Sequence, residues 1–393
     1  MTPVRQLTVA LVTAGMLGCG KKPLPDLPPS RLSEVPADSV ESVVFWIGDA
    51  GKAEWGKSPL IHKLAADVDH WSRLLPRDSA VAVIYLGDNV YPGGLREPST
   101  RPEYWEDSTH LEAQVSVMRA RYTRERDAFA IFIPGNHDWG HKSGAEGEAR
   151  LRSMERFLER RHAQDINVAL EPRAGSPGPA VIDIGQHIRI IIIDTAWWLL
   201  SPNSAEKNDL MARVEQAMAT SGIRAVMIAT HHPYKSASAH GGVIPVWKAL
   251  GIKWLLFKTG AALQDLNSLP YRDFITRLVG IFERRGPPLL FAGGHDHVLQ
   301  VIKGTETLDP RVMIVSGAGS KLSEVGHIDG MVYRGREPGY MRMVVKKTGR
   351  IDLFVVTADE SFLTCDRGDA AATAQCLEAG IGAFRVTHGI TLR

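Results

Sequence analysis

Short apolar runs recur along the chain from residue 43 onward: "VVFWI", "VAVIYL", "FAIFIP", "IRIIII", "IRAVMIA", "PLLFAG" and "RVMIVSG". Their length and their β-branched and aromatic content predict buried strands. A turn rich in Gly, Asp, Asn or His follows most of them, and helical patterns lie between. In "SPLIHKLAADVDHWSRLL", Ser58 is placed to cap a helix and Pro59 to open its first turn. Leu60, Ile61, Leu64, Val68 and Trp71 then share one face. "SAEKNDLMARVEQAMATSG" repeats the pattern from Ser204 through Leu210, Val214 and Met218, ending near Gly222. Alternating strands and helices predict an α/β domain with layered sheets. "GYMRMVVKKTGRIDLFVV" reads instead as a β-hairpin around "KTGR", so antiparallel strands close the domain.

Two segments interrupt this rhythm. Residues 92–110, "PGGLREPSTRPEYWEDSTH", are expected to form a polar, Pro-rich loop, and residues 241–270 hold "VIPVWKALGIKWLLF". Either could wall a pocket or be loop decoration. The N-terminus differs again. One Arg in "MTPVRQ" precedes the apolar "LTVALVTAGMLG" and Cys19, the arrangement of a secretory signal. With "MLGCG" at its end, the segment resembles a bacterial lipoprotein signal, which implies a lipidated Cys19, export, and a membrane anchor facing the periplasm or cell exterior. Residues 1–18 are then the signal peptide and residues 19–40 a tether, since five prolines stand between Gly20 and Ser39. Cys365 and Cys376 remain as a pair, a candidate disulfide in a C-terminal extension over residues 359–393.

Composition excludes some classes. The chain is 44% hydrophobic and 23% charged, with a formal net charge of +2, which argues against a dedicated nucleic-acid binder. No apolar stretch reaches the roughly 18 residues of a membrane span.

The chemistry sits at five strand ends: "GDAG" (48–51), "GDNVY" (87–91), "GNHDW" (135–139), "THHPY" (230–234) and "GGHDH" (293–297). Loops at the carboxyl edges of strands converge on one crevice in open α/β sheets. That crevice would hold Asp49, Asp88, Tyr91, Asn136, His137, His231, His232, His295 and His297. Carboxylate, amide oxygen and imidazole together suit first-row divalent or trivalent metals rather than a thiolate-bound structural zinc.

In the order and rough spacing of these motifs, residues 43–358 resemble the calcineurin-like metallophosphoesterases, and within them the small, tartrate-resistant-type purple acid phosphatases. The resemblance implies an α/β/β/α sandwich of two mixed sheets flanked by helices over residues 41–358. Most of the superfamily opens with Asp-x-His, whereas "GDAG" has Gly51 in the second ligand place. Tyr91 supplies the missing ligand in the purple acid phosphatase pattern, and a phenolate is a hard donor suited to ferric iron. Carried over, Fe(III) would be bound by Asp49, Asp88, Tyr91 and His297. A second ion, Fe(II), Zn or Mn, would be bound by Asp88, Asn136, His231 and His295.

His240 lies nine residues after His231, as a second His does in that group, and "SGAGSK" (316–321) resembles a late turn of the group. His137 and His240 become the candidates for holding phosphate and protonating the leaving group, with Asp138 expected to orient His137. The implied function is hydrolysis of phosphomonoesters, on small molecules or proteins, by a monomeric enzyme. The alternative is a phosphodiesterase or nucleotide hydrolase of the same superfamily using two divalent metals.

Overall fold

The computed structural model describes residues 36–99, 102–126, 128–241 and 261–393. The signal segment, Cys19, most of the tether and the whole of "VIPVWKALGIKWLLF" lie outside them.

Strands are numbered here in chain order. β1 (Val40–Ile47), β2 (Ala80–Tyr85), β3 (Phe129–Phe132), β4 (Val168–Leu170), β12 (Gly339–Lys346), β13 (Ile351–Thr357) and β14 (Arg385–Thr391) form one sheet. Its order is β14-β13-β12-β1-β2-β3-β4. The strands β1 to β4 run parallel and the other three antiparallel. β5 (Ala180–Ile184), β6 (Ile188–Ile192), β7 (Ala225–Ala229), β8 (Leu290–Gly293), β9 (Leu299–Lys303), β10 (Val312–Ser316) and β11 (Met331–Gly335) form the other. There β6, β7, β8 and β10 are parallel.

Period-two alternation along β1 explains the layering. Val44 and Trp46 pack with Ile190, Ile192, Met227 and Ala229 of the second sheet. Val43, Phe45 and Ile47 face the other way, onto Leu60, Leu64 and Val68 of α1 (Pro59–Leu74). Apolar faces on both sides of each sheet require helices outside, and the fold is an α/β/β/α sandwich of two mixed sheets.

Ser58 caps α1 as its position predicts, accepting from the Ile61 N–H. For α6 (Ser204–Ala219) the cap is one residue earlier than expected. Asn203 accepts from the Ala205 and Glu206 N–H groups, at 3.1 and 3.3 Å. The expected loop 92–110 is partly helix, because α2 spans Glu103–Ser116. It buries Tyr104, Leu111 and Val115, and Asp107 takes Arg96 at 2.7 Å, which ties the preceding loop down.

β14 lies beside β13, so the segment beyond residue 358 completes the first sheet. A disulfide joins Cys365 to Cys376, with Cα atoms 5.6 Å apart. No helix among the described residues is long and apolar enough to cross a membrane.

Candidate metal centre

β1, β2 and β3 end at "GDAG", "GDNVY" and "GNHDW"; β7, β8 and β10 end at "THHPY", "GGHDH" and "SGAGSK". All six are parallel strands, three from each sheet, so their carboxyl ends meet at one pole of the sandwich.

The first two turns are locked together through backbone. The Asp49 N–H donates to the Gly87 carbonyl at 2.9 Å, the Gly51 N–H to the Asp88 carbonyl at 3.0 Å, and the Tyr91 N–H to the Gly51 carbonyl at 3.1 Å. That contact leaves no room for a side chain at position 51. A Cβ there would lie 2.6 Å from the Asp88 oxygen and 2.7 Å from the Val90 nitrogen, both immovable backbone atoms. A histidine two residues after Asp49 is sterically excluded, and the docked turn brings Tyr91 in instead.

Asp49, Asp88, His295 and His141 all hold positive φ, between 55° and 67°. Outside glycine that conformation is strained and concentrates at functional sites. Four such residues at one pole mark it independently of the motifs.

Two groups of donor atoms result. In the first, the Tyr91 hydroxyl donates to Asp49 Oδ1 at 2.9 Å and lies 3.1 Å from His297 Nε2. In the second, Asn136 Oδ1 lies 2.9 Å from His231 Nε2 and 3.1 Å from His295 Nδ1, and those two nitrogens are 3.2 Å apart. Asp88 stands between: its Oδ1 is 3.3 Å from His231 Nε2, and carboxylate oxygens of Asp49 and Asp88 lie with a His231 nitrogen within 4.8 Å of one another.

The second group passes a stringent test for a cation. His231 Nδ1 is bonded to the Leu86 carbonyl at 2.8 Å and His295 Nε2 to the Gln264 carbonyl at 3.0 Å. A carbonyl only accepts, so each outward nitrogen carries the hydrogen and each inward nitrogen of a neutral ring presents a lone pair. The Asn136 amide nitrogen points at His141 Nδ1, 3.3 Å away, which turns its oxygen inward too. Four lone pairs converge at 2.9–3.3 Å with no hydrogen between them. Only a positive charge reconciles them.

The charge is either a metal ion or a proton taken up by His231 itself. Burial pushes His231 down, but Asp88 and Asp49 outweigh it and the net shift is upward, toward the cationic form. His295 is pushed well down by burial and by the neighbouring histidines. Burial raises Asp88, yet His231, His137 and the His137 N–H hold it below the ordinary range.

The remaining histidines separate by role. His137 sits at the rim with Nε2 3.8 Å from Asp88 Oδ2, while its Nδ1 faces the Pro92 carbonyl and His141 Nε2. His240 is half-buried, its ring 4.2 Å from that of His295, and its carbonyl accepts from the Leu266 N–H. His232 is fully buried with a ring nitrogen within 4.8 Å of those of His231 and His295, but both its nitrogens are engaged, by the Thr195 hydroxyl at 2.8 Å and the Gln264 side chain at 2.9 Å. It braces the segment whose carbonyl holds His295.

Asp138 does not orient His137. Its carboxylate accepts from the N–H groups of Asn89, Val90 and Gly135 and from the Asn89 amide, staking the second and third turns together. Two residues escaped the sequence reading. His141 partners both Asn136 and His137, and Lys321 lies over the Tyr91 ring. The "SGAGSK" motif and the His four residues after His137 were the available signals.

No family model matches the chain, and no curated protein matches it in sequence. Solved structures do. GAP50, the anchor in the inner membrane complex of Plasmodium, aligns with a TM-score of 0.51 and 13% identity, over 87% of this chain and 95% of that one. The purple acid phosphatase PPD1 from yellow lupin (Lupinus luteus) seeds aligns with a TM-score of 0.50 and 14% identity, over 83% of this chain. This chain spans about half of the lupin protein, 53%. At such identities the likeness shows the layered fold they share.

Proposed function

We propose that the pole of converging turns is a dinuclear metal centre that hydrolyses phosphomonoesters. The observation that carries this is the pair of donor groups sharing Asp88, with the second built wholly of lone pairs. Asp49, Asp88, Tyr91 and His297 would hold one ion, ferric iron by the chemistry of the phenolate, and Asp88, Asn136, His231 and His295 the other, Fe(II), Zn or Mn. When bound, the two ions supply Lewis acidity for the phosphoryl group and acidify a water to serve as nucleophile.

The chain's own residues do the rest. Asp88 sets the spacing of the two sites. His137, with its Nδ1–H on the Pro92 carbonyl, has Nε2 free to face phosphate oxygens or the leaving oxygen. Burial pushes His137 down, so its proton-donating form belongs to acid pH. His240 offers a second imidazole from the opposite sheet. No side-chain nucleophile is needed.

The fold also serves a protein described as an anchor, so fold alone does not imply catalysis. A surface-tethered binding protein is the second reading. Under either reading the resemblance of residues 1–19 to a lipoprotein signal supports an exported chain held at a membrane through Cys19.

The test is metal analysis and a visible spectrum of protein purified without added metal, followed by a phosphomonoester and phosphodiester panel. Near-stoichiometric iron, colour and monoester turnover support the reading. A colourless, manganese-loaded diesterase would favour the divalent alternative, and a metal-free inert protein the binding role.

A further inference from the structure

Lys321 closes the turn after β10 and carries its ammonium over the face of Tyr91, 3.1 Å from the ring centroid. It is partly buried, with no carboxylate in ion-pair contact among the described residues, and the charges of Asp88 and Asp49 draw it toward the donor groups from further off. A cation over an aromatic face is attracted by the ring's π electrons, more strongly as water is excluded. Tyr91 is itself buried, and its hydroxyl is already committed to Asp49 and His297. The ammonium therefore acts on the π system from above while the oxygen faces the donor group.

We propose that Lys321 tunes the metal ion held by Tyr91, acting through the ring. This rests on the reading that Tyr91 binds ferric iron as a phenolate. A positive charge against the face lowers the energy of the filled π orbitals from which charge transfers to iron. The visible band then lies at shorter wavelength than it would for the same ligands without Lys321. The phenolate is also a poorer electron donor, which leaves the ion a stronger Lewis acid and easier to reduce. Lys321 is a positioning residue in this scheme and need not touch substrate.

The experiment compares wild type, K321M and K321R, each loaded with iron and matched for iron content. K321M should move the visible band to longer wavelength, and K321R should bring it back toward wild type. Should K321M fail to load iron, K321Q takes its place. A coloured wild type with an unmoved band in the neutral variant overturns the tuning role while leaving the metal centre standing. A rise in KM for phosphomonoesters with the band unmoved overturns it too, by making Lys321 a substrate anchor. A wild type that takes up no iron removes the premise, and is told apart by its lack of colour.

Discussion

The two donor groups share Asp88 and little else. Around Asn136, His231 and His295, every outward nitrogen is committed to a carbonyl or to His141, so no hydrogen is left to separate the inward lone pairs. Around Asp49 and His297, the Tyr91 hydroxyl brings its own hydrogen and satisfies Asp49 at 2.9 Å. One group needs a cation to be self-consistent; the other has a neutral resting form. With its rings neutral, a buried cluster lacking hydrogens is costly when empty, so above the pH at which His231 takes a proton the His-rich group should lose its ion last and Tyr91's group first.

Asp88→Ala tests what the two groups share, and should have the largest effect: both ions lost by metal analysis and kcat down about 10³-fold or more, roughly 4 kcal/mol of barrier. Near-full turnover in that variant would sink the dinuclear assignment. Single substitutions should then split the pair. Tyr91→Phe should bleach the protein and release one equivalent of metal, whereas His231→Ala should release one equivalent and keep the colour. If both variants lose the same ion, the two groups are one site.

Gly51→Ala presses on the backbone lock without removing a donor. Its Cβ would meet the Asp88 carbonyl at 2.6 Å, so the turns must separate, at a cost of about 1–3 kcal/mol in thermal or denaturant unfolding. Iron content should fall before that of the second ion; equal losses would show that the lock serves both groups.

The last test concerns Asp194, which follows β6 at the same pole as the donor groups, next to Thr195 and its partner His232. It is fully buried, caps α5 (Thr195–Leu200) at the Trp197 N–H, and accepts from the Trp139 indole at 2.8 Å. Burial raises its carboxyl to about 7 despite those hydrogen bonds. A carboxyl raised on folding favours the fold only while protonated. Its contribution is present below about pH 4, where the unfolded chain is also protonated, and is lost as pH climbs to about 7. Asp194→Asn should flatten the melting-temperature profile across that window, and an unchanged slope would contradict the assignment.

The donors were legible because each sits in a turn that ends an apolar run, and a strand end is a position the sequence displays. Asp49, Asp88, Asn136, His231, His295 and His297 needed only convergence to become a cluster. What was not legible depends on tertiary approach. Lys321 lies far along the chain from Tyr91, and nothing in "SGAGSK" says which ring its ammonium will meet. Asp138 looked like a partner for its neighbour His137, yet its burial turned it to the backbone of Asn89 and Val90.

The fold shows the same division. β1, β2 and β3 announce themselves, while the edge strand β14 leaves Arg385 and Val386 exposed and carries almost no apolar signal. Helix α2 hid among prolines and acids because its buried side, Tyr104, Leu111 and Val115, starts only after Pro102.

β1 also sets an orientation. The described chain reaches the sheet at Val40 and delivers Asp49 beyond the far end of that strand. Eight extended residues, at about 3.3 Å each, put roughly 26 Å between the two ends. The N-terminal side therefore leaves from the pole opposite the histidines. If Cys19 holds the protein to a bilayer, the tether joins the domain at the end remote from the cleft.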